Sequence, residues 1–279
     1  MKVCILSVCH NSYSESIKYL NSIEKSLLRV KLDLKLFFID NSSIVNSKQV
    51  RLIKSGSFNF EIKYIKCKNV GYFPSISYII QEYNIELNHY DHVIISNVDL
   101  QLSKDFFKNL LDIKKINSVG IYAPSIYSKV LNLDRNPKIN SRPSSFKLKL
   151  NKFLYSSFIT YSLLKAINIL RLKITKIILE SPAQNSLNYQ KNIYAPHGSF
   201  IILNKELIRK IREINFPVFL FCEEIYLAET AIEHNFTIKY YPDLLVFDSE
   251  HASTSLMKSR DYRKFNIEAL SYVLKNFDF

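Results

Sequence analysis

The chain has 279 residues, 47% of them hydrophobic and 13% aromatic, with a formal net charge of +13. That is the composition of a globular protein with one large domain or two small ones. Cys4, Cys9, Cys67 and Cys222 form no CxxC pair and the N-terminus enters a strand-like run directly after Met1 and Lys2, which argues against a cysteine-based zinc site and secretion and for a reducing, cytoplasmic compartment. Only Gly56, Gly71, Gly120 and Gly198 occur, so a G-x-G-x-x-G dinucleotide fingerprint and a P-loop are both excluded.

In chain order, KVCILSVC (2–9) reads as a buried strand. Ser12 to Leu28 carries Ile17, Leu20, Ile23 and Leu27 at helical spacing, and LKLFFID (34–40) is the next strand. A short helix around 45–55, a strand at 60–66, and a helix from about Pro74 to Leu87 follow, proline being suited to a first helical turn. DHVIISNVD (91–99) is the fourth strand. A Ser103-capped helix then runs to about Lys115, with a strand near 118–124. Strands alternating with helices predict an α/β fold: a mainly parallel sheet with helices on both faces.

The segment 128–190 breaks this rhythm. From Asn136 to Leu179 there is no acidic residue, while nine Lys and Arg fall there, leaving +4 for the rest of the chain. Its uncharged run Phe153 to Leu164 is shorter than the roughly 20 residues a spanning helix needs, so one or two amphipathic helices are expected, lying on the protein or on a membrane surface. The last third returns to mixed structure: a strand at 194–204, a helix in KELIRKIREI, a helix after FLFCEE, a strand–turn–strand–loop over 236–255, and a closing helix from about Asp261.

Polar residues collect just after the strands, where open α/β sheets bind ligands: Asn11, Asp40, Asn69 and Asn97 to Asp99. Asp99 either terminates a strand or ligates magnesium, which commonly uses one or two protein carboxylates and takes its other oxygens from water and phosphates. Asp40 is either a turn residue or a nucleoside contact. Glu223 and Glu224 either favour a helix N-terminus or supply a general base whose pKa is raised by burial and a like charge. His197 precedes Gly198, where glycine permits close backbone approach, and His251 lies in a late loop.

Read in order, HNS, IDNSS, KNVGYFPSISYII, SNVDL, PHGSFIILNKELI, FLFCEEIYLAETA and EHAST resemble the inverting family 2 glycosyltransferases of the GT-A fold, particularly rhamnosyltransferase-like and capsule-type members. The resemblance spans nearly the whole chain except about 128–190. It implies a Rossmann-like GT-A domain whose half 1–127 binds the nucleotide-sugar and whose half 191–279 binds the acceptor and catalyses, with 128–190 as a basic helical insert. It assigns Asp40, with Asn11, Asn69, Gly71, Asn97, His197 and Gly198, to the nucleotide-sugar, Asp99 and His251 to a Mg²⁺ or Mn²⁺ ion, and the base to Glu224 or Glu223. Glu-Glu stands here where most relatives have Glu-Asp, and Asn97 where a full D-x-D would begin.

The implied reaction moves a sugar from a nucleoside diphosphate to a glycan hydroxyl, with inversion, in bacterial surface polysaccharide synthesis. Glycan acceptors of this kind are often carried on polyprenyl lipid, and 145–180 could meet the cytoplasmic membrane face or instead cover the sheet or form a homo-oligomer contact. Rival readings are a non-catalytic GT-A-like assembly subunit and a basic nucleic-acid binder, the latter disfavoured because its positives fall outside the α/β region and match no nucleic-acid-binding motif.

Overall fold

The apolar runs of the first half become strands, each followed by a helix that returns the chain for a parallel pairing. A computed structural model describes residues 1–179, 189–211, 213–248 and 257–279. Strand β1 (Lys2–Cys9) leads through α1 (Tyr13–Leu27) to β2 (Asp33–Asp40), then α2 (Ser47–Ser55), β3 (Glu61–Lys66), α3 (Tyr72–Glu82) and β4 (His92–Asn97). β1 pairs in parallel with both β2 and β4, and β2 with β3. Neighbouring residues of β1 are buried on opposite faces: Cys4, Leu6 and Val8 join one apolar cluster, while Val3, Ile5 and Cys9 join the other. A strand with both faces buried requires helices on both sides.

The sheet continues through β5 (Leu100–Leu102), α4 (Phe106–Asp112), β6 (Val119–Ser128), β7 (Leu133–Asp134), α5 (Ser145–Ser156), α6 (Phe158–Leu179), β8 (Lys191–Ile193), β9 (Phe200–Asn204), α7 (Lys205–Ile211), α8 (Glu223–Glu233), β10 (Thr237–Asp248) and α9 (Ser259–Asn276). The strand order is β3-β2-β1-β4-β9-β6-β10-β5, with β7 beside β6 and β8 beside β10. β9 is antiparallel to both its neighbours, and β10 returns parallel to β6. This is a mixed α/β sheet of the GT-A type.

Several boundaries differ from the sequence expectation for identifiable reasons. α3 begins two residues before Pro74 because Gly71, at φ 116°, turns the chain so that the Tyr72 N–H meets the Phe219 carbonyl at 3.0 Å. Helix α4 begins at Phe106, whose N–H bonds to the Ser103 carbonyl, so Ser103 precedes the helix by a turn. The expected strand 194–204 divides: Ala195 keeps a single bridge, to Ile139, residues 196–199 turn, and β9 starts at Phe200. The expected strand–turn–strand after 236 is one strand, β10, with a register shift between Tyr241 and Leu245 that accommodates Pro242.

The basic stretch has two parts. Residues 133–140 belong to the sheet, since β7 pairs with β6 and Ile139 bridges to Ala195. Helix α5, capped by Ser144, buries Leu148 and packs against α9. Arg263 of α9 donates to the carbonyls of Tyr155 and Ser156, fixing the joint where α5 gives way to α6.

Candidate functional site

The tips of β1, β2 and β3 are tied together by short polar side chains. Asn11, at φ 56°, gives its N–H to Ser42 Oγ at 2.8 Å and accepts from the Ser43 N–H at 3.2 Å. Asn41 reaches the Gly71 carbonyl at 3.1 Å and Ser75 Oγ at 2.7 Å, closing the β3–α3 loop over β2. Asp40 is fully buried beneath these bonds. Its carboxylate accepts from Tyr13 Oη at 2.7 Å, Tyr64 Oη at 2.5 Å and the Ser42 N–H at 2.9 Å, with Lys66 Nζ 3.7 Å away. Burial alone would raise the Asp40 pKa, but the hydrogen bonds outweigh it and leave the pKa below the usual carboxylate value. Asp40 therefore organises the tip from beneath, while Asn11, Ser43, Ile44, Asn69 and Val70 form its exposed surface.

Asn97 and Asp99 leave β4 beside this tip. The Asn97 N–H bonds to the Ser199 carbonyl at 2.9 Å, joining it to the segment that carries His197 and Gly198. Burial, and secondarily the charge of Asp248, pushes the Asp99 carboxyl up to about 6, and Arg135 works in the other direction. Arg135 Nε lies 2.8 Å from Asp248 Oδ2. Asp99, Asp248 and Arg135 thus form one electrostatic group, with Asp248 arriving at the end of β10.

Glu223 and Glu224 open α8. Phe221 and Cys222 both hold positive φ, 75° and 62°, in the turn that delivers them. The Phe221 N–H donates to Glu223 Oε1 at 2.9 Å, and Glu223 is buried while Glu224 is partly exposed. A Cβ at Gly198 would stand 3.6 Å from Glu224 Oε2 and 4.0 Å from Glu223 Oε2, so this glycine lays its backbone directly against the acidic pair. Tyr72 Oη donates to the Gly198 carbonyl at 3.2 Å; burial, then Glu223, Tyr19 and Asp99, keep its phenol protonated. Tyr72 thus lies within electrostatic reach of both Asp99 and Glu223, linking the two acidic groups.

Burial raises the proton affinity of both glutamates. For Glu223 the charge of Glu224 adds to it, whereas for Glu224 the ammonium of Lys138 opposes it. The two carboxyls titrate as one pair: burial and its neighbour push Glu223 up to about 8, while Lys138 favours the charged form of Glu224. His197 gives its N–H to Asn136 Oδ1 at 2.6 Å and shares Nδ1 with Ser199 Oγ at 2.8 Å; burial, then Lys138 and Arg135, lower its pKa to about 3, so the ring is neutral.

The structure brings together Asn97, Asp99, His197, Gly198, Glu223 and Glu224, with Gly71 holding the adjoining loop. Asn11, Asp40 and Asn69 lie at the neighbouring tips. His251 lies outside the described residues. Sequence reading did not single out Tyr72, Arg135, Lys138 or Asp248. Arg135 and Lys138 lie on either side of Asn136 and Pro137 in the chain, and Asn136 anchors this loop through Pro124 and His197.

No protein-family model matches the chain, and no curated protein matches it in sequence. Solved structures do match its fold. Staphylococcus aureus TarS superposes with a TM-score of 0.53 at 11% identity over 100% of this chain and 44% of that one. A TarS fragment, residues 1–349 in complex with UDP-GlcNAc, gives 0.52 at 12% identity over 100% and 68%. GalNAc-T7 with UDP, GalNAc and Mn²⁺ gives 0.53 at 11% identity, covering 89% of this chain and 44% of that one. The chain thus spans less than half the length of TarS and of GalNAc-T7. These neighbours are glycosyltransferases with a GT-A-like fold, and the fold is what this chain shares with them.

Proposed function

We propose that this chain is an inverting glycosyltransferase, rhamnosyltransferase-like in type, transferring a sugar from a nucleoside diphosphate donor to a hydroxyl of a glycan acceptor in bacterial surface polysaccharide synthesis. The observation that carries the reading is the Glu223–Glu224 pair set against the Gly198 backbone, within electrostatic reach of Lys138 and, through Tyr72, of Asp99. Residues 1–127 hold the donor: the exposed surface of Asn11, Ile44, Asn69 and Val70 offers both polar and apolar contacts to a nucleoside. Residues 191–279 supply the base and the acceptor side.

In this mechanism Glu224 takes the proton of the acceptor hydroxyl as its oxygen attacks the anomeric carbon. The bond from that carbon to the diphosphate oxygen breaks on the opposite face, which inverts the centre. Arg135 and Lys138 lie where the departing diphosphate would gather charge. Burial and its neighbour push the Glu223 carboxyl up to about 8, so Glu224 can ionise near neutral pH without a second charge beside it.

A divalent cation fits Asp99. Its carboxyl is burdened by burial and by the neighbouring Asp248, and a hard cation needs only one or two protein carboxylates. Among the described residues no group of three His, Cys, Asp or Glu side chains is arranged to hold a metal ion, so water and phosphate oxygens would complete the shell. Mg²⁺ or Mn²⁺ bound by Asp99, with Asp248 beside it, would neutralise the leaving diphosphate.

Helices α5 and α6 support contact with a membrane surface. Phe146, Leu150 and Phe153 recur along α5, and Phe158, Ile159, Leu163, Ile167 and Leu170 along α6, all exposed, with Phe146 at 75% and Ile159 at 79%. Lys147, Lys149, Lys152 and Lys165 lie among them without any acidic residue. No described helix is long and apolar enough to cross a membrane. Such a surface complements an anionic lipid interface, each basic residue contributing about 1 kcal/mol, and would bring the enzyme to a polyprenyl-linked acceptor on the cytoplasmic face.

Incubation with a panel of sugar nucleotides, read by nucleotide release and by the anomeric configuration of product, tests the chemistry. Divalent-dependent release from at least one donor is expected, and release from none would sink the proposal in favour of a non-catalytic subunit. Flotation with anionic liposomes, with and without residues 145–180, tests the membrane reading: equal flotation of both forms would remove it.

A further inference from the structure

Lys18, Ser22 and Lys25 follow one another on α1 at spacings of four and three residues, so they share one helical face. That face packs along β5. Lys104, in the turn after β5, and Lys129, just past β6, complete an open cleft of about 460 Å³ with Phe247 as part of its lining. Lys129 Nζ lies 4.8 Å from the Phe247 ring centroid. Lysines from three distant parts of the chain thus line one volume, and among the described residues no carboxylate lines it.

Asp105, next to Lys104, is paired with Arg29 at 2.7 Å, Glu24, next to Lys25, accepts the Asn59 N–H at 3.0 Å, and Glu15, one turn before Lys18 on α1, accepts from Ser14 Oγ at 2.7 Å. Among the described residues no ion pair joins any of the four lysines to a carboxylate. All four lysines are exposed, so water screens their mutual repulsion, and an anion seated in the cleft would meet their combined positive field. The cleft is also distinct from the Glu224 site. Successive side chains of β10 point to opposite faces of the sheet, so Phe247 turns to the lysines while Asp248 turns to Arg135.

We propose that this cleft binds the phosphate groups of a ligand carrying at least two negative charges, with the Phe247 ring as an apolar floor. The chemistry is that of a soluble phosphorylated molecule or of a phospholipid headgroup, and it does not depend on the transferase reading.

The test uses the full chain and two probes: inorganic pyrophosphate by titration calorimetry, and phosphatidylglycerol vesicles by flotation against phosphatidylcholine vesicles. In the charge-reversed variant K25E/K104E, binding of at least one probe should weaken about tenfold or more, because each reversal turns an attraction into a repulsion. The milder K18Q/K129Q, with a thermal midpoint equal to the parent's, guards against misfolding and should weaken the same probe. R135A/K138A should leave that binding intact. Lysine-dependent binding of pyrophosphate identifies a soluble ligand, and lysine-dependent binding of vesicles alone identifies a headgroup. Binding of both probes unchanged in the two lysine variants, or lost only in R135A/K138A, would overturn the proposal.

Discussion

Glu224→Gln preserves the volume and hydrogen-bonding shape of the side chain but removes its ability to accept a proton. If Glu224 is the base, kcat should fall by about 100- to 10,000-fold, the usual contribution of a positioned general base, or about 3–5 kcal/mol in the barrier. Donor affinity should change little, because the proposed mechanism uses Glu224 on the acceptor hydroxyl and not on the donor. Glu223→Gln is the internal control. Burial and the Glu224 charge already hold Glu223 protonated, and glutamine can still accept the Phe221 N–H through its amide oxygen. Its effect should therefore stay below about tenfold, well short of losing a base.

Lys138→Ala adds a pH signature. A base works deprotonated, so kcat/KM rises with pH through its pKa. Burial raises the pKa of Glu224 and Lys138 opposes the rise, so removing the lysine must send the acid limb to higher pH. Nucleotide release across a pH series, with donor binding measured separately by calorimetry, reads all three variants. Parental turnover by Glu224→Gln, or an acid limb that moves down in Lys138→Ala, would refute the assignment.

Three further outcomes concern the scaffold of the site. Glu229 is 2% exposed and is held by Arg142 Nε at 2.9 Å, Arg142 Nη2 at 2.6 Å and Tyr194 Oη at 2.7 Å; Arg142→Ala should cost about 3 kcal/mol in urea unfolding by stranding a buried carboxylate, and a loss within error of zero would contradict this. Tyr64→Phe removes one hydrogen bond to the buried Asp40, worth about 1.5–3 kcal/mol for a charged acceptor. Because the Asp40 pKa is lowered, its contribution is present above the unfolded value of about 3.9 and lost as pH falls through the folded value; the acid-unfolding midpoint should move to higher pH in this variant, and an unchanged midpoint would count against it. Gly71→Ala places a Cβ on the Phe219 carbonyl at a φ of 116°, costing about 1–3 kcal/mol, and should lower transfer by shifting the loop that delivers Glu223 and Glu224; wild-type stability and turnover would show that the loop does not need this contact.

Much of the first half was legible because its signals are local. β1, β2 and β4 are runs rich in Val, Ile, Leu and Phe that end at polar residues, β3 mixes Ile and Tyr with charged residues, and the intervening helices repeat at 3.6 residues. Asp99 and the acidic pair stood out for the same reason: each follows an apolar run and interrupts it. What was not legible depends on distant contacts. Nothing local to Asp40 shows that Tyr13 and Tyr64 close over it, so a strand-tip carboxylate that reads as a turn residue or a nucleoside contact is buried beneath the tip. Arg135 and Lys138 lie in a polar stretch resembling any loop, and they become part of the site only because β7 returns antiparallel to β6 and Asn136 pins the chain to Pro124 and His197.

The charges of the cleft alternate, and that alternation ties its parts into one device. Asp99 and Asp248 form an acidic group, Arg135 and Lys138 a basic one, and Glu223 with Glu224 a second acidic group. Lys138 acts in two directions: it lowers the proton affinity of Glu224, and it helps keep His197 neutral beside it. Arg135 likewise relieves Asp99 while pairing with Asp248. A polyanion entering above Arg135 and Lys138 would draw their field away from the carboxylates, raising the proton affinity of both acidic groups. If Glu224 is the base, donor binding would make it stronger before the acceptor hydroxyl arrives. For Asp99 the same change increases the demand for a cation, so diphosphate and divalent ion should enter the cleft cooperatively.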